Sequence, residues 1–327
     1  MTGAIRLAGM AFLALALACG GGGGGAPTPS PSPGSAVTHT VAPNLTDPAI
    51  STYLNVHLAI TPDPAVPAQG RLFLFLPGTG GAPSGQQLIL QTGSARGYHA
   101  IGLMYPNTPS VGSLCDASTD PNAHWDVRRE ILTGQDLSTL VNVNATECLE
   151  HRLTALLTYL AATYPAEQWG QFLSGGQPDW TKVVVAGHSQ GGGHAGVIAK
   201  LHPVLRAVCF SSPADWRSDV NQPASWCAPA GATPADRIYG FSHQQDPLVT
   251  WPLVTANWAA LGLGAFGAAV NVDTAVVPYA GSHQLTTNLS PVPGDAFHGC
   301  TVVDAGTPRL PDGSPRYRPV WIQLCFP

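Results

Sequence analysis

The chain predicts an α/β fold: a mostly parallel central sheet flanked by helices, with a small cap or none. Short, apolar, β-rich runs recur at 53–60, 71–76, 99–105, 182–186, 206–210, 237–241 and 283–288, with helical patterns between several of them. Strands alternating with helices imply a parallel sheet covered on both faces. The run KVVVAGHSQGGG at 182–193 adds a third observation, because a β-branched segment passes through a glycine-flanked serine into a small-residue helix start.

The clearest helix spans 147–162, where Leu149, Leu153, Leu156, Leu157 and Leu160 share one face and Asn144 to Glu147 resembles a capping box. A second helix follows Ser189 to about 201, and a third covers 250–261. No internal repeat is visible. In such sheets, sites form beyond the C-terminal ends of the strands.

Residues 1–18 carry one charge, Arg6, followed by an apolar run at 7–17, which reads as a secretory signal too short to be a stable membrane span. Ala16-Leu17-Ala18 before Cys19 resembles a bacterial lipobox, departing from it at Ala16, where Leu is usual. Of seven cysteines, lipidation of Cys19 would leave an even six in an oxidising compartment. The expectation is an extracytoplasmic lipoprotein of the cell envelope, anchored only through Cys19. Release as a soluble secreted protein and an N-terminal hairpin anchor are the alternatives. The Gly and Pro/Ser/Thr runs make 19–43 a tether, with the ordered chain starting within 37–44 and a catalytic domain over 44–327. Removing residues 1–18 takes away one positive charge and moves the net charge from -5 to -6, which argues against nucleic-acid binding.

Gly187-His188-Ser189-Gln190-Gly191 fits a nucleophile elbow, a strained strand-to-helix turn that lifts a serine hydroxyl above the sheet. Upstream, the strand RLFLFL ends in Pro77-Gly78-Thr79-Gly80-Gly81, where backbone N–H groups can point at a developing oxyanion. Thr79, or else Gly80, would supply one donor and Gln190 the other; the bland reading is a plain strand-ending turn. Asp246, just past the strand in RIYGFSHQQD, is the favoured acid, with Asp215 its rival and a solvated loop aspartate the alternative for each. His298, in a loop beyond the last strand, is favoured as general base over His283 at that strand's head. His188 and His194 read as local packing residues, and with His202 they show no metal-ligand spacing. His243 reads as structural or pocket-lining. No metal or organic cofactor is required.

From about residue 50 the chain resembles the α/β-hydrolase superfamily: GTGG its oxyanion loop, GHSQGG its lipase and esterase elbow, and Ser189, Asp246, His298 its catalytic order. LPGTGG, MYPN, GHSQGG and HGCTVVD together are similar to a group of bacterial secreted esterase- or lipase-like hydrolases. The resemblance implies a serine hydrolase that cleaves small or polymeric carboxylic esters through an acyl-enzyme. An amidase or peptidase using the same triad, and a catalytically silent binding lipoprotein, are the rival readings. Only 57 residues separate Ser189 from Asp246, leaving little room for a cap. Cys115 with Cys148, Cys209 with Cys227, and Cys300 with Cys325 are expected as disulfides because each pair flanks a loop or tail beside the site; a buried free thiol is the alternative, for Cys209 above all. Trp216 and Trp226 are candidates for a pocket wall or for core packing.

Overall fold

The computed structural model describes residues 35–290 and 296–327. The expected signal segment, Cys19 and the tether through residue 34 lie outside the described residues. The described residues belong to one compact unit. Its first strand precedes residue 44, so part of the expected tether belongs to the sheet.

Among the described residues, nine strands form the main sheet: β1 (Thr38–Val41), β2 (His57–Ile60), β3 (Leu72–Leu76), β4 (His99–Gly102), β5 (Val183–His188), β6 (Arg206–Phe210), β7 (Ile238–His243), β8 (Val270–Asn271) and β9 (Gln284–Thr287). Their spatial order is β1-β2-β4-β3-β5-β6-β7-β9-β8. Only the β1–β2 and β2–β4 pairs are antiparallel, and β4, β3, β5, β6, β7, β9 and β8 run parallel. A mostly parallel sheet in this order, with a strand-to-helix serine turn after its middle strand, is the α/β-hydrolase fold.

Side-chain alternation explains why the sheet is covered twice. Leu72, Leu74 and Leu76 of β3 and Val183 and Val185 of β5 point to one face, where they meet α2 (Ala123–Thr133), α3 (Leu149–Thr163), α4 (Gln190–Leu201) and α5 (Trp251–Ala260). Phe73 and Phe75, with Val184 and Ala186, point to the other, where they meet α1 (Gln87–Ser94) and α6 (Arg318–Cys325). Successive strand residues face opposite sides, so both layers are apolar and the strands read as continuous hydrophobic runs.

Helix α3 starts at Leu149, later than the capping-box reading suggested. Asn144 Oδ1 accepts the N–H groups of Thr146 and Glu147 as a turn, 3.0 Å each. The Glu147 carboxylate turns to Ser51 and Thr52, accepting Ser51 N–H at 2.7 Å and Thr52 Oγ1–H at 2.7 Å, and pairs with the buried Arg152. Burial alone would raise the Glu147 pKa, but these donors and Arg152 hold it down at about 2.

The disulfide expectation is corrected. Cys115, Cys148, Cys209, Cys227, Cys300 and Cys325 are all free and buried. Four thiols have local acceptors instead: Cys148 faces Ala145 O at 3.2 Å, Cys209 faces Gly192 O at 3.3 Å, Cys227 faces Asn257 Oδ1 at 3.3 Å and Cys300 faces Phe297 O at 3.3 Å. Cys115 and Cys325 pack within the two apolar layers. They behave as small core residues, and burial pushes the Cys115, Cys209 and Cys300 thiols up to about 12.

Candidate active site

Strand β5 ends at His188, and Ser189 follows with φ 54° and ψ −120°. A side-chain-bearing residue at positive φ is strained, and here its N–H is fixed by Phe210 O at 2.9 Å. Both flanking glycines are required by space. A Cβ on Gly187 would lie 2.2 Å from the Gly191 carbonyl carbon, and one on Gly191 would lie 2.1 Å from Leu76 O. The turn can therefore nest against the end of β3 only as Gly-x-Ser-x-Gly.

The loop after β3 lies beside this turn. Thr79 Oγ1 donates to Gln190 Oε1 at 2.9 Å, and Val111 N–H donates to the same oxygen at 3.1 Å. Among the described residues, neither the Thr79 nor the Gln190 N–H has a protein acceptor. Gln190 opens α4, so its N–H is one of the donors that a helix leaves free. Asn107 staples the loop, its amide donating to Gly78 O at 2.9 Å and to Gly81 O at 2.8 Å.

Past β7, Asp246 is buried and accepts the N–H groups of Leu248 at 2.9 Å and Val249 at 3.0 Å through Oδ1. Its Oδ2 lies 2.7 Å from Nδ1 of His298, which belongs to the short helix Ala296–Gly299. With the proton on Nδ1, Nε2 of His298 is left as an acceptor. Ser189, His298, Thr79 and Gln190 line one cavity of about 580 Å³. Within it, Ser189 and His298 have no hydrogen bond to each other among the described residues.

The rival candidates are committed elsewhere. Asp215 takes Arg128 Nε and Nη2 in a bidentate pair at 2.5 Å each and Trp226 Nε1 at 2.7 Å. Burial would raise the Asp215 pKa, but Arg128 overrides it and holds the carboxyl down at about 2. His283, ahead of β9, is sandwiched between Tyr239 and Phe266 at ring distances of 4.0 and 4.1 Å, and its Nδ1 meets Ile238 O at 2.9 Å. His243 Nε2 meets Leu289 O at 2.9 Å, and His202 pairs with Glu150 at 2.7 Å. His194 is fully buried against Tyr105, where burial drives its pKa well down. Trp226 packs on Gly196 in the core, and Trp216 sits in a two-stranded ribbon; neither lines the Ser189 cavity.

Three contributors escaped sequence reasoning. Asn107 stood inside MYPN, a motif with no assigned role. Arg128, on the unforeseen α2, also donates to Gln190 O at 3.0 Å, and its guanidinium fills the space that a Cβ on Gly193 would need. Nothing in the sequence marked it, because Arg128 stands in the charged run Asp126-Val127-Arg128-Arg129-Glu130. Ser211, at φ 48°, donates to His298 O at 2.8 Å and carries no sequence signal at all.

No protein-family model matches the chain, and no curated protein matches it. Among solved structures, the chain is similar to one described as a putative dienelactone hydrolase from Klebsiella pneumoniae subsp. pneumoniae MGH 78578. The match has 14% identity and a TM-score of 0.37, and it covers 78% of this chain and 86% of that one.

Proposed function

We propose that the chain is a serine hydrolase that cleaves carboxylic esters through an acyl-enzyme on Ser189. The observation that carries this reading is the 2.7 Å contact from the buried Asp246 Oδ2 to Nδ1 of His298, which lines the same cavity as Ser189, itself held at positive φ. His298 Nε2 takes the Ser189 proton as Oγ attacks the ester carbonyl carbon, and Asp246 stabilises the imidazolium. The N–H groups of Thr79 and Gln190 bind the oxyanion. Collapse breaks the bond to the alcohol oxygen, which leaves with the proton from His298. Water then repeats the sequence, releasing the acid and restoring Ser189.

The cavity wall favours an uncharged substrate. Arg128 is neutralised by Asp215, and Val111, Val249 and Val303 supply apolar surface. We place the enzyme in the cell envelope, tethered through Cys19. A fluorophosphonate probe should label the wild-type protein and not Ser189→Ala, and p-nitrophenyl esters of varied acyl length should be hydrolysed only by the wild type. Near-wild-type turnover by Ser189→Ala removes Ser189 as nucleophile. Faster cleavage of matched anilides favours the amidase reading, and absence of labelling in the wild type favours a binding protein.

A further inference from the structure

The main-chain carbonyl of His298 accepts two side-chain hydrogen bonds, from His188 Nε2 at 2.9 Å and from Ser211 Oγ at 2.8 Å. Both donors are built into the sheet beneath the nucleophile. His188 is the last residue of β5 and immediately precedes Ser189; Ser211 immediately follows β6, the strand whose Phe210 O fixes the Ser189 N–H. We propose that His188 and Ser211 are positioning residues that clamp the His298 backbone to the elbow, so that the nucleophile and its base are registered by one shared carbonyl. The proposal rests on the serine-hydrolase reading for its catalytic consequence.

The chemistry of residue 188 suits this task. A carbonyl oxygen accepts only from a protonated nitrogen, so His188 must carry its proton on Nε2. The ring packs against Gly78, where a Cβ would come within 2.8 Å of Nδ1, and lies 4.6 Å from the His298 ring. Burial, reinforced by His298, keeps the His188 pKa low, at about 3, so the clamp adds no positive charge beside a base that must itself become cationic. Ser211, at φ 48°, presents its hydroxyl to the same oxygen, and Thr301 Oγ1, at 3.2 Å from Ser211 Oγ, extends the contact to the segment after His298.

The test compares His188→Leu, His188→Gln and Ser211→Ala with the wild type on a p-nitrophenyl ester. Gln can set its amide nitrogen near the place of Nε2, whereas Leu fills the space without a donor. Misplacing a base by about 1 Å costs on the order of 100-fold in rate. We expect His188→Leu to lose about 10- to 100-fold in kcat with little change in KM and a displaced inflection in the pH–rate profile. His188→Gln should recover most of the loss, and Ser211→Ala should lose several-fold. Wild-type kcat in His188→Leu, or no recovery in His188→Gln, overturns the clamp. Nitrogen-15 NMR of His188 in the Ser189→Ala protein separates this failure from failure of the hydrolase reading: protonation on Nε2 supports the clamp even if the protein cleaves no ester, and protonation on Nδ1 overturns it.

Discussion

Replacing Asp215 with Asn removes the carboxylate that neutralises Arg128 while keeping size and an acceptor for Trp226. The two side chains are only 3% and 2% exposed, so after the change the guanidinium stays largely out of water. Breaking a buried ion pair from one side leaves an uncompensated charge and costs about 3–5 kcal/mol. At roughly 2–4 °C per kcal/mol for a domain of this size class, Tm should fall by about 6–20 °C. The double variant Arg128→Met with Asp215→Leu removes both charges and should regain most of that stability, because apolar replacements of buried pairs are often neutral. It should not regain full turnover, since Arg128 also holds Gln190 O at 3.0 Å, next to the N–H proposed for the oxyanion. Urea denaturation and ester turnover read the two effects separately. A loss below about 1 kcal/mol in Asp215→Asn would refute the assignment of a buried, charged pair.

His298→Ala should lose several orders of magnitude in turnover while His283→Ala, whose ring is stacked away from Ser189, should lose stability and keep its rate; the opposite pattern in kinetics and thermal unfolding reverses the base assignment. Thiol titration should find the six described cysteines unreactive in the native protein and all reactive in denaturant without reductant, and a reductant-dependent count would restore disulfides. Acid should destabilise the fold from about pH 6.5 downward. His57 and His188 have folded pKa values of about 3, with burial the leading cause, so between roughly pH 3 and 6.5 the unfolded chain binds protons that the fold does not, and stability rises with pH. Asp215 and Glu147 add a further loss as pH falls from about 4 toward 2. Urea midpoints that stay flat from pH 7 to 5 contradict the buried neutral histidines.

Seven of the nine strand positions were legible, because burial on both sheet faces writes strands as mostly apolar runs: β6 matches its expected span and β3 and β7 begin one residue inside theirs, whereas β1 and β8 had no expected run. Helices α1 and α2 were not legible. In α1, Gly93 sits against Phe326, whose ring carbon would come within 2.9 Å of a Cβ there, so a helix-weakening residue is retained for close packing. In α2, His124, Arg128 and Glu130 occupy buried positions, so the apolar stripe that announces a helix is broken by polar groups. Glu130, for example, accepts the N–H groups of Leu137, Ser138 and Val143 from the loop that follows.

The two halves of the site differ in how locally they are encoded. Ser189 and its glycines announce themselves because the elbow is local: space within a few residues dictates Gly187 and Gly191, and the sequence must record it. The contacts that hold Asp246 and His298 are non-local, and an aspartate whose carboxylate accepts Leu248 and Val249 N–H looks like any Asx turn until His298 arrives from 52 residues away. Asp215 was the less favoured rival that the sequence offered. What disqualifies it is Arg128, 87 residues earlier in the chain, whose guanidinium takes both carboxylate oxygens and so leaves Asp246 as the acid available to an imidazole. For the proposed triad, the acid is therefore selected by a residue outside the motif, through a charge that the low-dielectric interior requires to be paired.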